Sequence, residues 1–177
     1  MRLFVALELP DDARDALVQL QGGLPGARWV ERENLHVTLR FVGAVDALIA
    51  DDLAAALAAI DAPKVEFAIQ GAGRFASRDK ARALYAAIAH SPSLDHLHAK
   101  VERAAIAAGL DPEPRRFTPH VTLARLYDSP IALVDRAAAE LSGLALGPFL
   151  LNEFVLLESL LGKERPVYRP VARYPLR

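Results

Sequence analysis

The sequence predicts an α+β protein: mostly antiparallel strands in two sheets around a central cleft, with helices outside. Three observations predict it. Helical periodicities separate pairs of strand-like segments rather than every strand, which favours antiparallel sheet over a doubly wound parallel one. The stretch His36-Val37-Thr38-Leu39-Arg40 returns in the other half of the chain as His120-Val121-Thr122-Leu123-Ala124-Arg125. No linker or low-complexity segment divides the 177 residues, so residues 1–177 read as a single bilobal domain. A strand-helix-strand unit around each repeat suggests an approximate duplication about a pseudo-twofold axis.

Arg2 to Leu9 alternates as a strand and ends at Pro10. Asp11 is placed to cap a helix that buries Ala13, Leu17 and Leu20 and stops at Gly22. After a turn-rich loop to Gly26, Ala27 to Val30 reads as a short strand. Asn34 and Leu35 lead into the first repeat, a strand running to about Val42 and closed by Gly43. Asp46 starts a second helix on Ile49, Leu53, Leu57 and Ile60, with Pro63 beyond its end. Val65 to Gln70 is a strand, and Gly71-Ala72-Gly73 reads as a turn or bulge. Arg82 to His90 is the next strand. Ser93 is placed to cap a third helix on Leu94, Leu97, Val101 and Ala105, stopped by Gly109.

Asp111 to Arg116 holds two prolines and reads as a loop. Phe117 to Leu126 is the strand of the second repeat. Ser129-Pro130 opens a fourth helix on Ile131, Val134, Ala138 and Leu141. Phe149 to Leu157 reads as one apolar strand, Gly162 to Arg165 as a charged turn, and Val167 to Tyr174 as the closing strand.

The formal net charge is −1. Proteins that coat long nucleic acid are usually strongly basic, so a nucleic-acid ligand here is expected to be gripped locally, at an end. The hydrophobic fraction of 53% leans on alanine. No apolar run approaches the roughly 20 residues of a membrane helix. Met1-Arg2-Leu3-Phe4-Val5 leads straight into a strand, without the pattern of a signal peptide. The chain has no cysteine. That excludes disulfides, thiolate metal sites and a cysteine nucleophile, and suits the cytoplasm, where the protein is expected.

In a strand, residues i and i+2 face the same way, about 6.5 Å apart. His36 and Thr38 therefore share one face, and so do His120 and Thr122. Val37, Leu39, Val121 and Leu123 take the opposite, apolar face. Two such polar faces opposing one another bring two imidazoles and two hydroxyls to one point. Near neutral pH a histidine serves as acid or base, and in-line displacement at phosphorus needs one of each. Threonine hydroxyls donate to non-bridging oxygens without adding a titrating group. Duplication of a fold repeats its core residues, but gives no reason to keep His and Thr on the non-core face twice. His96 and His98, with Asp95, are poorly placed as joint metal ligands, because positions i and i+2 on a helix do not face each other. No metal and no cofactor are expected.

The paired motif resembles the signature of the two-histidine phosphoesterase superfamily. Arg2-Leu3-Phe4-Val5-Ala6, Asn34-Leu35, Arg116-Phe117-Thr118-Pro119, Tyr168 and Arg173-Tyr174-Pro175-Leu176 are similar to one branch. That branch is the bacterial and archaeal RNA 2′,3′-cyclic phosphodiesterases, also called 2′-5′ RNA ligases. The resemblance implies a bilobal α+β fold and metal-independent hydrolysis of a terminal 2′,3′-cyclic phosphate to a 2′-phosphate. It also implies a reversible 2′-5′ RNA ligase activity. Carried onto this chain, His36 protonates the departing 3′ oxygen, His120 activates water, and Thr38 and Thr122 hold the phosphate. The branch's pattern and side-chain chemistry add Arg125 on the phosphate and Phe41 stacked on the terminal base. Strict alternation points both away from the cleft; a bend at the strand end is expected to relax that rule. Arg40 shares the parity of His36 and is a further candidate for the cleft. The implied partner is an RNA end bearing the cyclic phosphate, tRNA fragments among them, bound by a monomer. Two rival readings are a phosphodiesterase acting on another cyclic phosphate or a 2′-5′ oligonucleotide, and a non-catalytic module that binds RNA ends.

Overall fold

The computed structural model describes residues 1–177. In chain order the elements are β1 (Arg2–Glu8), α1 (Asp11–Val18), β2 (Ala27–Trp29), a 3-10 turn (Arg32–Asn34), β3 (His36–Ala44), α2 (Ala47–Ala58), β4 (Val65–Ser77) and β5 (Lys80–Ile88). There follow α3 (Pro92–Ala107), β6 (His120–Leu126), α4 (Ile131–Glu140), β7 (Ala145–Leu151), β8 (Glu153–Leu161) and β9 (Pro166–Pro175). Every strand pairing is antiparallel. The α+β class is as the sequence predicts.

The strands lie in the order β7-β4-β5-β6-β3-β1-β8-β9, with β2 on β6. The two expected sheets are thus joined into one, but narrowly: β3 and β6 meet at a single residue pair, Val37 with Val121. Outward from this joint, β3-β1-β8-β9 makes one half and β6-β5-β4-β7 the other. Each histidine strand has a neighbour that precedes it by one intervening helix, β1 through α1 and β5 through α3. The main core lies under the joint. Val37, Leu39, Val121 and Leu123 pack there with Leu53 and Leu57 of α2 and Leu94, Leu97 and Val101 of α3. This apolar face is what the alternation of each repeat supplies.

Several element boundaries differ from the sequence reading: β6 begins at His120 rather than Phe117 and β5 runs two residues earlier, while four further differences each have a local reason. Pro10, not Asp11, occupies the cap position of α1. Ser91 caps α3 through its Oγ, accepting from Leu94 N at 3.2 Å, with Pro92 as the first helical residue; Ser93 lies inside. β4 continues through Gly71-Ala72-Gly73 to Ser77, with an irregularity in its pairing between Ile69 and Ala72. Gly71 has φ +75° there, and Gly73 lies under the Tyr85 ring, where an added Cβ would stand 2.5 Å from the hydroxyl oxygen. The reversal instead falls at Arg78-Asp79, both at positive φ between Ser77 and Lys80, as a two-residue hairpin turn requires. Finally, the segment read as one apolar strand from Phe149 to Leu157 belongs to two strands, β7 and β8. It breaks at Asn152, where the chain leaves β4 for β1.

The feature that shapes the cleft is a bulge in each histidine strand. Val5 pairs with Arg40 but Ala6 with Thr38, so Leu39 has no partner. Leu84 pairs with Ala124 but Tyr85 with Thr122, so Leu123 has none. An extra residue reverses the alternation beyond it. Leu39 and Arg40 are consequently both buried, as are Leu123 and Ala124. Phe41 and Arg125 return to the face of the histidines.

Arg40 is therefore not in the cleft. It is 7% exposed. Its guanidinium faces α3 and the loop after it, 3.4 Å from Glu102 Oε2 and 3.5 Å from Glu113 Oε2, and donates to the Asp111 carbonyl at 2.5 Å. This cluster ties β3, of one half, to the segment that carries His120, of the other. Arg40→Ala leaves two carboxylates facing each other and is expected to lower the unfolding free energy by about 2–4 kcal/mol. Urea denaturation at neutral pH measures this; a loss below about 0.5 kcal/mol, the size of an ordinary surface change, would show that the cluster bears little weight.

Candidate active site

The antiparallel pairing of Val37 with Val121 places His36, Thr38, His120 and Thr122 on one side of the sheet, opposite the core. All four line a cleft of about 930 Å³, together with Phe41 and Arg125. Six of the seven residues predicted from the sequence are brought together, Arg40 being the exception, and the bulges, rather than a bend at the strand end, bring in Phe41 and Arg125. Six basic side chains line the cleft (Arg2, Arg28, Arg115, Arg125, Lys163 and Arg165) against two acidic ones, Glu31 and Glu164. The cleft is thus positive in a chain whose net charge is −1.

Each imidazole is held by the backbone two residues before it. His36 Nδ1 lies 2.6 Å from the Asn34 carbonyl, and His120 Nδ1 lies 2.8 Å from the Thr118 carbonyl. A carbonyl only accepts, so each Nδ1 carries the hydrogen and each Nε2 is left with its lone pair toward the cleft side of the ring. His36 Nε2 is 3.0 Å from Thr38 Oγ1. With Nδ1 protonated, the neutral ring accepts this bond and the threonine hydroxyl donates.

Aromatic side chains wall in both rings. Phe4 and Tyr168 stand with centroids 5.1 and 5.5 Å from that of His36. Phe75 and Tyr85 stand 4.8 and 5.2 Å from that of His120. This apolar packing has an electrostatic effect, since burial disfavours an imidazolium. The His36 pKa is pushed down to about 4, chiefly by burial. The Asn34 hydrogen bond opposes the shift, while positive charge on His120, Arg125 and Arg14 adds to it. Burial lowers His120 as well, against the hydrogen bond to Thr118.

Sequence reasoning assigned no role to Phe4, Phe75 or Tyr85. Phe4 and Tyr85 lay in strands adjacent to the motif strands, with nothing to mark them as more than strand residues, and Phe75 lay beyond the strand read as ending at Gln70. Phe41 is 57% exposed at the rim, 6.3 Å between centroids from Phe4. Of the remaining histidines, His98 stacks on Phe117 at 3.8 Å and His90 lies 3.4 Å from Asp95. No group of three or more His, Asp or Glu side chains is arranged to hold a metal ion.

A family model described as LigT-like phosphoesterase matches residues 7–85 and 88–168, one segment around each histidine. The RNA 2′,3′-cyclic phosphodiesterase of Geobacillus stearothermophilus is 30% identical over 98% of this chain, which spans 56% of that protein's length. The enzyme of the same name from Aeropyrum pernix is 30% identical over 83% of this chain and 84% of its own. Among solved structures, Escherichia coli LigT complexed with 3′-AMP superposes with a TM-score of 0.78 at 26% identity, covering 99% of this chain and 97% of that one. A protein of Thermus thermophilus gives a TM-score of 0.82 at 25% identity, over 100% of this chain and 98% of its own.

The depressed histidine makes stability depend on pH. Above about pH 6.5 His36 is neutral both folded and unfolded; below it the unfolded chain takes up a proton that the folded chain refuses until about pH 4. Unfolding free energy is expected to fall by about 3 kcal/mol across that window from His36 alone. Denaturation curves at pH 7.5, 6 and 5 measure the loss. In His36→Gln this part of the pH dependence should vanish; an unchanged profile would place the titration elsewhere.

Proposed function

From the premise that this chain belongs to the LigT-like phosphoesterase family and is an enzyme, we infer that it is an RNA 2′,3′-cyclic phosphodiesterase. The observation that carries the reading is the pair of backbone-anchored imidazoles, each with a threonine, facing one positive cleft. The terminal cyclic phosphate sits between them. Thr38 and Thr122 donate to its non-bridging oxygens, and Arg125 balances its charge with a planar fork. Phe41, exposed at the rim, offers a face to the terminal base.

In the reaction, His120 Nε2 takes a proton from water, whose oxygen attacks phosphorus. The bond from phosphorus to O3′ breaks, and His36 Nε2 gives its proton to that oxygen. The product is a 2′-phosphate beside a free 3′-hydroxyl. When the 5′-hydroxyl of a second RNA takes the place of water, the same steps with the same roles form a 2′-5′ phosphodiester and free the 3′-hydroxyl. In the reversal of that joining the 3′-hydroxyl attacks, the 5′ oxygen leaves, and the two histidines exchange roles. His36 enters as an acid only once recharged. The bound phosphate supplies the negative charge that raises its pKa, and Thr38 releases Nε2 as its hydroxyl turns to the phosphate. The same proposal carries a monomer acting in the cytoplasm on RNA ends, tRNA fragments among them.

A short RNA ending in a 2′,3′-cyclic phosphate, incubated with the protein in excess chelator, tests the reading. Release of a 2′-phosphate is expected; RNA that is bound but unaltered would instead identify a binding module. His36→Ala and His120→Ala should each lower the rate by about 10²–10⁴, the usual scale for a positioned proton-transfer group. The basic limb of the kcat profile should lie at higher pH than that of kcat/KM, because only the complex has recharged His36. Coincident limbs would reverse or remove the acid role assigned to it.

A further inference from the structure

Beyond the histidines, the cleft face of β6 continues past the bulge to Arg125 and Tyr127, and β2 lies against it. Arg28 of β2 is paired directly with Arg125. Two like charges opposite one another on neighbouring strands repel. Neither guanidinium forms an ion pair or a hydrogen bond within the protein, whereas Arg32, Arg40, Arg74, Arg165 and Arg173 all have carboxylate partners. On the other side of Arg125 stands Ala83, whose small side chain leaves the guanidinium room.

The arrangement is built rather than loose. The Arg28 guanidinium lies 4.8 Å over the Tyr127 ring, which is itself 51% exposed. The segment before Arg28 is held against β6 at Gly26, whose φ is +76° and where an added Cβ would lie 2.3 Å from the Tyr127 carbonyl oxygen. Gly26 O accepts from Tyr127 N at 2.8 Å, and the Ser129 hydroxyl donates to the Pro25 carbonyl at 2.7 Å. The Arg28 guanidinium, without a carboxylate partner and set over an exposed aromatic ring, forms with that ring a receptor for a phosphate followed by a base.

We propose that Arg28 and Tyr127 form a subsite for the nucleotide upstream of the terminal one, so that the substrate is an oligonucleotide rather than a nucleoside 2′,3′-cyclic phosphate. This rests on the function proposed above. Arg28 holds the phosphodiester that joins the terminal nucleotide to its predecessor, while its strand neighbour Arg125 stays on the cyclic phosphate, and the predecessor's base stacks on Tyr127. The terminal base goes the other way, to Phe41 on β3. The nucleic acid thus diverges from the reacting phosphate along both halves of the sheet.

The test compares a nucleoside 2′,3′-cyclic phosphate with a dinucleotide carrying the same terminal cyclic phosphate. The dinucleotide should have the higher kcat/KM by about tenfold or more, the scale of one base-aromatic stack. Arg28→Met and Tyr127→Leu, both at exposed positions, should each remove most of that advantage. They should lower the mononucleotide value far less. Arg28→Met should also reduce the salt dependence of dinucleotide binding by about 0.7 in log–log slope, the effect of one lost phosphate contact. Equal kcat/KM for the two substrates, or variants that depress both alike, would overturn the subsite. If neither substrate is turned over, the proposed reaction falls instead. Calorimetric titration with the 2′-phosphorylated mono- and dinucleotide then decides the subsite alone: tighter dinucleotide binding that needs Arg28 supports it, and equal affinities reject it.

Discussion

One backbone pairing, Val37 with Val121, sets the geometry on which the site depends. It is the only place where the two halves of the sheet are hydrogen-bonded, and both residues are fully buried beneath it. Because side chains alternate along a strand, burying these two valines turns the residues on either side of each toward the opposite face. Those residues are His36, Thr38, His120 and Thr122. The core under the joint and the chemistry above it are therefore one constraint seen from two sides. The sheet widens away from this point, since β3 and β6 do not continue their pairing, and the cleft occupies that widening.

The working geometry is then refined by backbone features that side-chain chemistry alone does not supply. The bulges at Leu39 and Leu123 turn Phe41 and Arg125 inward and send Arg40 and Ala124 to the core. The carbonyls of Asn34 and Thr118 fix both tautomers. The aromatic walls strip water from the rings and favour the neutral imidazole. In the proposed reaction a bound phosphate anion reverses that preference, and the proton is acquired together with the substrate.

Much of this could be read from the chain before its structure. The α+β class, all four helices and the four polar motif residues followed from periodicity and from a motif present twice. What escaped the reading has physical causes. A bulge changes the register without a distinctive residue: Leu39-Arg40 and Leu123-Ala124 look like any other strand positions, so parity wrongly sent Arg40 to the cleft. Hydropathy hid the change of partner at Asn152: only Asn152 and Glu153 interrupt the apolar residues on either side, and a hydropathy pattern does not say which strand a residue pairs with. Ser91 and Ser93 are equally good caps in sequence; Pro92 between them is what makes the first the boundary. The Arg28–Tyr127 pair was invisible for another reason: β2 and β6 lie far apart along the chain, and only their pairing brings the two side chains together.

The crossing at Asn152 bears on how the chain is made. β1 is laid down long before its outer neighbour β8 and the covering β9, which come from residues 153–175. During synthesis the half containing β4 to β7 can close from consecutive segments, while β1 waits with one edge of unpaired amides and carbonyls. Such an edge templates adventitious strand pairing with other chains. The nascent protein is thus most vulnerable to aggregation in the interval before the β8–β9 hairpin emerges from the ribosome, and truncation ahead of that hairpin would leave the edge permanently open.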